Sequence, residues 1–214
     1  MKNRHAPPAK RSSRSQPQRR IVKLLTEGRL TEVEYFTKWA SLYRERVTVD
    51  IDDTHGSPMT LVKRAVELVD RRKRAIRRER TNAPFDEIWC VFDCDEHPYI
   101  QEAIATAERH QIGTAFSNPC FELWLVLHAT DLRRHTERHA VQAMSAGLGF
   151  TVGKGLGPDA WPTLQANWEI AEERGVALDE MHHGNNSPIG SNPSTSIAQI
   201  VRSLQREQAS GQTG

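Results

Sequence analysis

Long apolar runs are missing from this 214-residue chain. A transmembrane helix needs about 18–20 consecutive apolar residues. No stretch approaches that, so no membrane span is expected. The basic N-terminus lacks the apolar segment of a secretory signal. Cysteine is scarce. Cys90, Cys94 and Cys120 are an odd number and make no even disulfide framework, which points to reduced thiols in a cytoplasmic protein. His182, His183 and Cys120 match no closed zinc spacing, so zinc is not expected. No internal repeat is visible. Acidic residues are missing from positions 1–20, which carry Lys2, Arg4, Lys10, Arg11, Arg14, Arg19 and Arg20. That segment is +7 in a chain of net charge +2, so the remainder is −5. It is rich in Pro, Ser, Gln and Arg without apolar periodicity, which predicts a disordered tail. Such an arm either holds nucleic acid through its phosphates or solubilises the chain.

What remains is a soluble, polar composition, 37% hydrophobic with a mean hydropathy of −0.62. The length fits one domain with additions. The most informative stretch is Asp86-Glu87-Ile88-Trp89-Cys90-Val91-Phe92-Asp93-Cys94-Asp95. Ile88 to Phe92 reads as a strand covered on both faces, being short, apolar and bounded by charge.

Other elements follow by the same logic. Ile21 to Leu25 is a strand, followed by Thr26-Glu27-Gly28, where glycine permits a tight turn. Thr31 with Glu34 has the spacing of a capping box for a helix to about Arg44. Val47 to Ile51 is a second strand, and Pro58 suits the first turn of a helix with a strongly basic end: Arg71, Arg72, Lys73, Arg74, Arg77, Arg78 and Arg80. Those cations complement the helix dipole and are solvated, or they meet phosphates. After the strand of Asp93 come a helix from Tyr99 to His110, a fourth strand from Ile112 to Phe116, and an apolar helix from Phe121 to His128. The alternation β-α-β-α-β-α-β-α predicts a mostly parallel sheet with right-handed crossovers. Further on, helices are expected over Arg133 to Ala146 and Asp159 to Arg174, a glycine-rich loop over Gly147 to Pro158, a polar loop over Met181 to Asn192, and a last helix opened by Asn192-Pro193-Ser194-Thr195.

Chemistry in open α/β sheets gathers outside the carboxyl ends of the strands. Asp93 and Asp95 fall there, and two carboxylates so close repel unless a cation sits between them. A hard divalent ion such as Mg²⁺ suits oxygen ligands. Glu27 ends the first strand. If the first and third strands are parallel neighbours, Glu27, Asp93 and Asp95 share one rim, where Glu27 acts as a further ligand or as general base.

These features resemble the Toprim domain of primases, topoisomerases and metal-dependent nucleases. More closely, the chain resembles the RloB-like family of bacterial defence proteins, through Thr26-Glu27-Gly28 with Thr31-Glu32, Val91 to Asp95, Ser117-Asn118-Pro119-Cys120-Phe121-Glu122-Leu123-Trp124-Leu125, and Asn192-Pro193-Ser194-Thr195. The resemblance implies an α/β, Toprim-like, mostly parallel four-stranded sheet flanked by helices, with a C-terminal helical extension. The expected divisions are a basic tail over 1–20, a core over 21–130, the extension over 131–207 and a flexible tail over 208–214. It implies metal-dependent phosphoryl transfer, by Mg²⁺ or Mn²⁺, on DNA or RNA, within a phage-defence system often paired with an ATPase partner.

Carried onto this chain, Glu27, Asp93 and Asp95 take the Toprim acidic positions. The side chain of Cys94 is expected to point away from them, and Cys90 into the core. Glu122 is a candidate fourth acid, or a carboxylate favoured by the start of its helix. Ser117 and Asn118 orient a ligand or cap that helix. Lys154, in the glycine-rich loop, stabilises a pentavalent phosphate or is an ordinary surface lysine. His97 is a candidate proton shuttle or a structural histidine.

Overall fold

The structure is a computed structural model that describes residues 19–79, 84–94, 97–188 and 190–206. Four parallel strands form its centre: β1 (Arg20–Thr26), β2 (Val47–Ile51), β3 (Glu87–Asp93) and β4 (Gly113–Asn118). They lie in the order β2-β1-β3-β4. The expected sheet of four strands has a fifth. Residues Ser194–Thr195, expected to open a helix, instead form β7, antiparallel to β4 through Ser117↔Thr195 and Asn118↔Ser194. Between β1 and β3 the register runs from Val22↔Glu87 to Thr26↔Val91, so both strands end at one rim.

Helices cover both faces. β-strands alternate their side chains across the sheet. On one face Leu25, Ile88, Cys90 and Phe92 pack with α2 (Pro58–Glu79) and α3 (Ile100–Arg109). On the other, Val22, Leu24, Val91 and Ala115 pack with α1 (Thr31–Leu42) and α4 (Glu122–Leu127). That second face also receives α5 (Arg138–Gly147), α6 (Ala160–Ala166), α7 (Trp168–Gly184) and α8 (Ala198–Gln205), so the C-terminal helices share a core with the first strand. Burial of large apolar side chains here is the main stabilising contribution, on the order of 1.5–3 kcal/mol each. Among the described residues no helix is long and apolar enough to cross a membrane.

The structure departs from the expected elements in several places. Thr31 is the first residue of α1, whose N-cap, Leu30, makes no side-chain cap bond. The capping-box pair is used elsewhere: Thr31 Oγ1 donates to the Lys154 carbonyl at 2.8 Å, and Glu34 accepts from the Leu156 backbone N–H at 2.7 Å. Their partner is a small hairpin, β5 (Thr151–Val152) and β6 (Gly155–Leu156), lying within the expected loop. The expected helix from Arg133 begins only at Arg138, and α7 extends to Gly184, beyond the expected Arg174 and into the expected polar loop.

His128 closes α4 and is 1% exposed. Its Nδ1 donates to the Trp124 carbonyl at 2.8 Å, and its buried Nε2 has no hydrogen-bond partner among the described residues. Burial lowers its pKa from 6.5 to about 4, because an imidazolium there would be desolvated. Between those values the unfolded chain binds a proton that the folded chain does not. Stability is therefore full above pH 6.5, falls as pH drops towards 4, and is flat below. The total loss is about 3 kcal/mol. Urea melts across this window should show that slope in the wild type and a shallower one in His128→Leu; equal slopes would assign the acid lability elsewhere.

Candidate active site

At the end of β1 the ladder continues one residue, with the Glu27 N–H donating to the Val91 carbonyl at 2.9 Å. The Glu27 carboxylate is thereby placed against the end of β3. Its Oε2 accepts from the Asp93 N–H at 3.2 Å, and its Oε1 lies 3.2 Å from His97 Nε2. The chain then turns at Gly28, whose N–H donates to Glu32 Oε1 at 3.1 Å. A Cβ on Gly28 would stand 2.0 Å from Glu32 Oε2, so any side chain there must displace that carboxylate. Glu32, in the first turn of α1, is 7% exposed. Burial raises its pKa, and the charges of Glu122 and Glu27 push the same way, against backbone hydrogen bonds.

Asp93, the last residue of β3, faces this group. Burial raises its pKa well above the usual carboxylate range; Arg138 opposes that shift, and Glu32, Glu27 and Glu122 add to it. Arg138 Nη1 sits 3.0 Å from Asp93 Oδ2. Glu122 opens α4, and the Cys120 thiol hydrogen-bonds to its side chain; burial, then the charges of Glu122 and Asp93, push that thiol's pKa up. Lys154 rides the β5–β6 hairpin, tied to α1 through its carbonyl. Glu27, Glu32, Asp93, Glu122, Arg138 and Lys154 all line one cavity of about 900 Å³.

Of the residues expected at the site, Glu27, Asp93, Glu122 and Lys154 come together around this cavity, and His97 joins through Glu27. Asp95 lies outside the described residues. Ser117 and Asn118 neither cap α4 nor reach the cavity: Ser117 Oγ pairs with Thr195 Oγ1 at 2.8 Å, and Asn118 Nδ2 donates to the Gly190 carbonyl at 2.6 Å, tying β4 to β7 and the loop before it. Cys90 is buried, and Cys94 packs on the opposite face of the sheet with α2 and α3. Glu32 and Arg138 were not singled out as site residues in the sequence. A cation at the start of a helix runs against the macrodipole. That signal for Arg138 was hidden, because its helix was expected to begin earlier.

Gly28→Ala should lower stability by about 1–3 kcal/mol, the cost of displacing a buried hydrogen-bonded carboxylate. Thermal melting of Gly28→Ala beside Gly28→Ser checks this. Both should fall together, since each brings a Cβ, and an unchanged melting temperature would mean that Glu32 swings aside freely.

A family model described as RloB-like protein matches residues 22–204. The chain belongs to the RloB-like family. No curated protein and no solved structure matches it. The family match runs from Val22 in β1 to Leu204 in α8, so it covers all of the sheet but the first two residues of β1, and every residue of the cavity.

The donor set of this RloB-like chain is all oxygen: four carboxylates on one cavity, which suits a hard divalent cation more than zinc. Among the described residues no three His, Cys, Asp or Glu side chains are grouped as metal ligands. Arg138 supplies the positive charge beside Asp93. Burial is the main reason that the pKa values of Glu32 and Asp93 are raised; the neighbouring carboxylates add to it, and at Asp93 the Arg138 charge opposes it.

Proposed function

We propose that this RloB-like protein is a divalent-metal-dependent nuclease with a Toprim-type centre. In this reading it cleaves phosphodiester bonds of DNA or RNA in a cytoplasmic anti-phage system, together with an ATPase partner. The observation that carries the reading is the convergence of Glu27, Asp93 and Glu122 with Arg138 and Lys154 on one cavity at the carboxyl rim of parallel strands. Glu27 and Asp93, with Asp95 by its place in the sequence, would hold Mg²⁺ or Mn²⁺. When bound, that ion supplies Lewis-acid polarisation of a phosphoryl oxygen.

The chain's own groups do the rest. Glu27, beside His97 at 3.2 Å, accepts a proton from the attacking water and shares it with the imidazole. Arg138 and Lys154 neutralise charge that builds on the phosphoryl oxygens. The buried Glu32 holds the Gly28 turn and so fixes where Glu27 points.

The Arg138–Asp93 ion pair favours a second reading, in which the acidic shell is retained without catalysis and the protein binds nucleic acid or an ATPase partner. One experiment separates them. Labelled single- and double-stranded DNA and RNA are incubated with the protein, with and without a candidate ATPase partner, in Mg²⁺, Mn²⁺ or EDTA. Cleavage only with metal supports the nuclease. No cleavage of any substrate under any of these conditions overturns it.

A further inference from the structure

Among the described residues, a dense run of positive charge lies at the end of the fold opposite the acidic cavity. Arg71, Arg72, Lys73, Arg74, Arg77 and Arg78 fall within eight consecutive residues that hold no acid. With the +7 of residues 1–20 they carry +13 of a chain whose net charge is +2, so everything else carries −11. All six lie in the second half of α2. That helix leaves the carboxyl rim after β2 and returns towards the start of β3. Its 22 residues span about 33 Å, whereas β3 has 7 residues and spans about 23 Å. Its buried apolar residues Leu61, Val62, Ala65 and Val69 all precede the first of the six cations, and Ile76 is 41% exposed. The basic half therefore runs past the core. The described chain also enters at this end, where Arg20 begins β1.

This charge is not ion-paired among the described residues. Arg64, earlier in the same helix, pairs with Asp52 and Glu67. None of the six later cations makes an ion pair among the described residues, and Arg72 instead lies over the Phe85 ring at 5.3 Å. Cations at helical spacing repel one another, and an external polyanion relieves that repulsion. We infer that this basic pole docks the phosphate backbone of a duplex nucleic acid, at a surface separate from the candidate active site. Single strands are held on exposed aromatic platforms. Here Phe85 is buried, and the exposed aromatic residue Tyr99 belongs to the approach to α3 at the opposite rim. A membrane-surface helix needs a broad apolar face, and among the six cations the exposed large apolar side chain is Ile76. A duplex backbone, read as charge without sequence, fits these features.

Binding here needs no metal, so the test is made in EDTA, where it stands or falls apart from the nuclease reading. Labelled DNA and RNA duplexes of about two helical turns are titrated by fluorescence anisotropy at several salt concentrations, with single strands, polyglutamate and anionic vesicles as comparison probes. The full chain should bind either duplex with steep salt dependence. The double variant Lys73→Gln/Arg77→Gln should lower the slope of log K against log salt by about 2, and the quadruple variant with Arg71→Gln and Arg74→Gln by about 3–4. The quadruple variant should lose at least about tenfold in affinity, with an unchanged circular dichroism spectrum. Stronger binding of DNA than RNA, or the reverse, identifies which duplex the pole prefers. The inference fails if the wild type binds neither duplex, if the quadruple variant keeps wild-type affinity and slope, or if single strands, polyglutamate or vesicles bind as tightly as the duplexes.

Discussion

Asp93→Asn should abolish metal-dependent phosphodiester cleavage, by roughly 10³-fold or more, while the melting temperature stays within a few degrees of wild type. The two halves of this expectation have different origins. Asp93 stands on the cavity with three other carboxylates, and its raised pKa records that its negative charge is unfavourable there: burial opposes it first, then Glu32, Glu27 and Glu122. A residue selected for stability would not be charged in that position. Asn keeps the shape, and the Asp93 backbone N–H still donates to Glu27, so the end of β3 stays in place. What disappears is the charged oxygen that the proposed chemistry uses. Cleavage by Asp93→Asn at the wild-type rate would remove Asp93 from the mechanism. A large fall in melting temperature would make it a structural residue. A parallel calorimetric titration with Mn²⁺ should show the heat of binding reduced with the activity.

The part of the molecule that places Asp93 was legible because it is written in local patterns. Ile88 to Phe92 and Val47 to Ile51 are short, branched and apolar, and their limits match β3 and β2 within one residue at each end. The adjacency of Glu27 and Asp93 depended on the first and third strands being parallel neighbours, which the alternation does not fix, and the register of β1 on β3 meets that condition. Elements that depend on distant partners were not legible. Thr31 and Glu34 have the spacing of a capping box, but both bind the β5–β6 hairpin, more than a hundred residues away. Ser194 and Thr195 form a strand only because β4 offers them an edge. Ser117 and Asn118 looked like helix caps for the same reason: local sequence shows a polar pair before a helix and does not show that Thr195 and Gly190 satisfy it. Glu32 shows the limit within a single helix. Its first-turn position suits the macrodipole, and nothing local says that it is buried beneath a glycine turn.

Arg138→Gln should change metal binding and cleavage in opposite directions: Mn²⁺ affinity tighter by about tenfold, and cleavage slower by about 10²–10³-fold. The guanidinium lies 3.0 Å from Asp93 Oδ2, so it occupies the charge position that a divalent ion would take, and the two compete for one carboxylate. Removing it leaves Asp93 with the repulsion of Glu32, Glu27 and Glu122 and without its counter-charge, so a cation gains. Cleavage moves the other way because the same guanidinium, once released from Asp93, is positioned on the cavity with Lys154 to meet a phosphoryl group. Arginine suits that task through its planar fork of donors. Arg138→Lys should recover part of the rate, by keeping the charge, and should bind Mn²⁺ close to wild type. A purely structural Arg138 would lower stability in both variants and leave Mn²⁺ affinity unchanged, and that result would discard the competition. Calorimetry with Mn²⁺ reads the first half without any turnover. A wild type that binds no Mn²⁺ would overturn the metal-dependent reading itself, whereas equal binding by wild type and Arg138→Gln would overturn only the role assigned to Arg138.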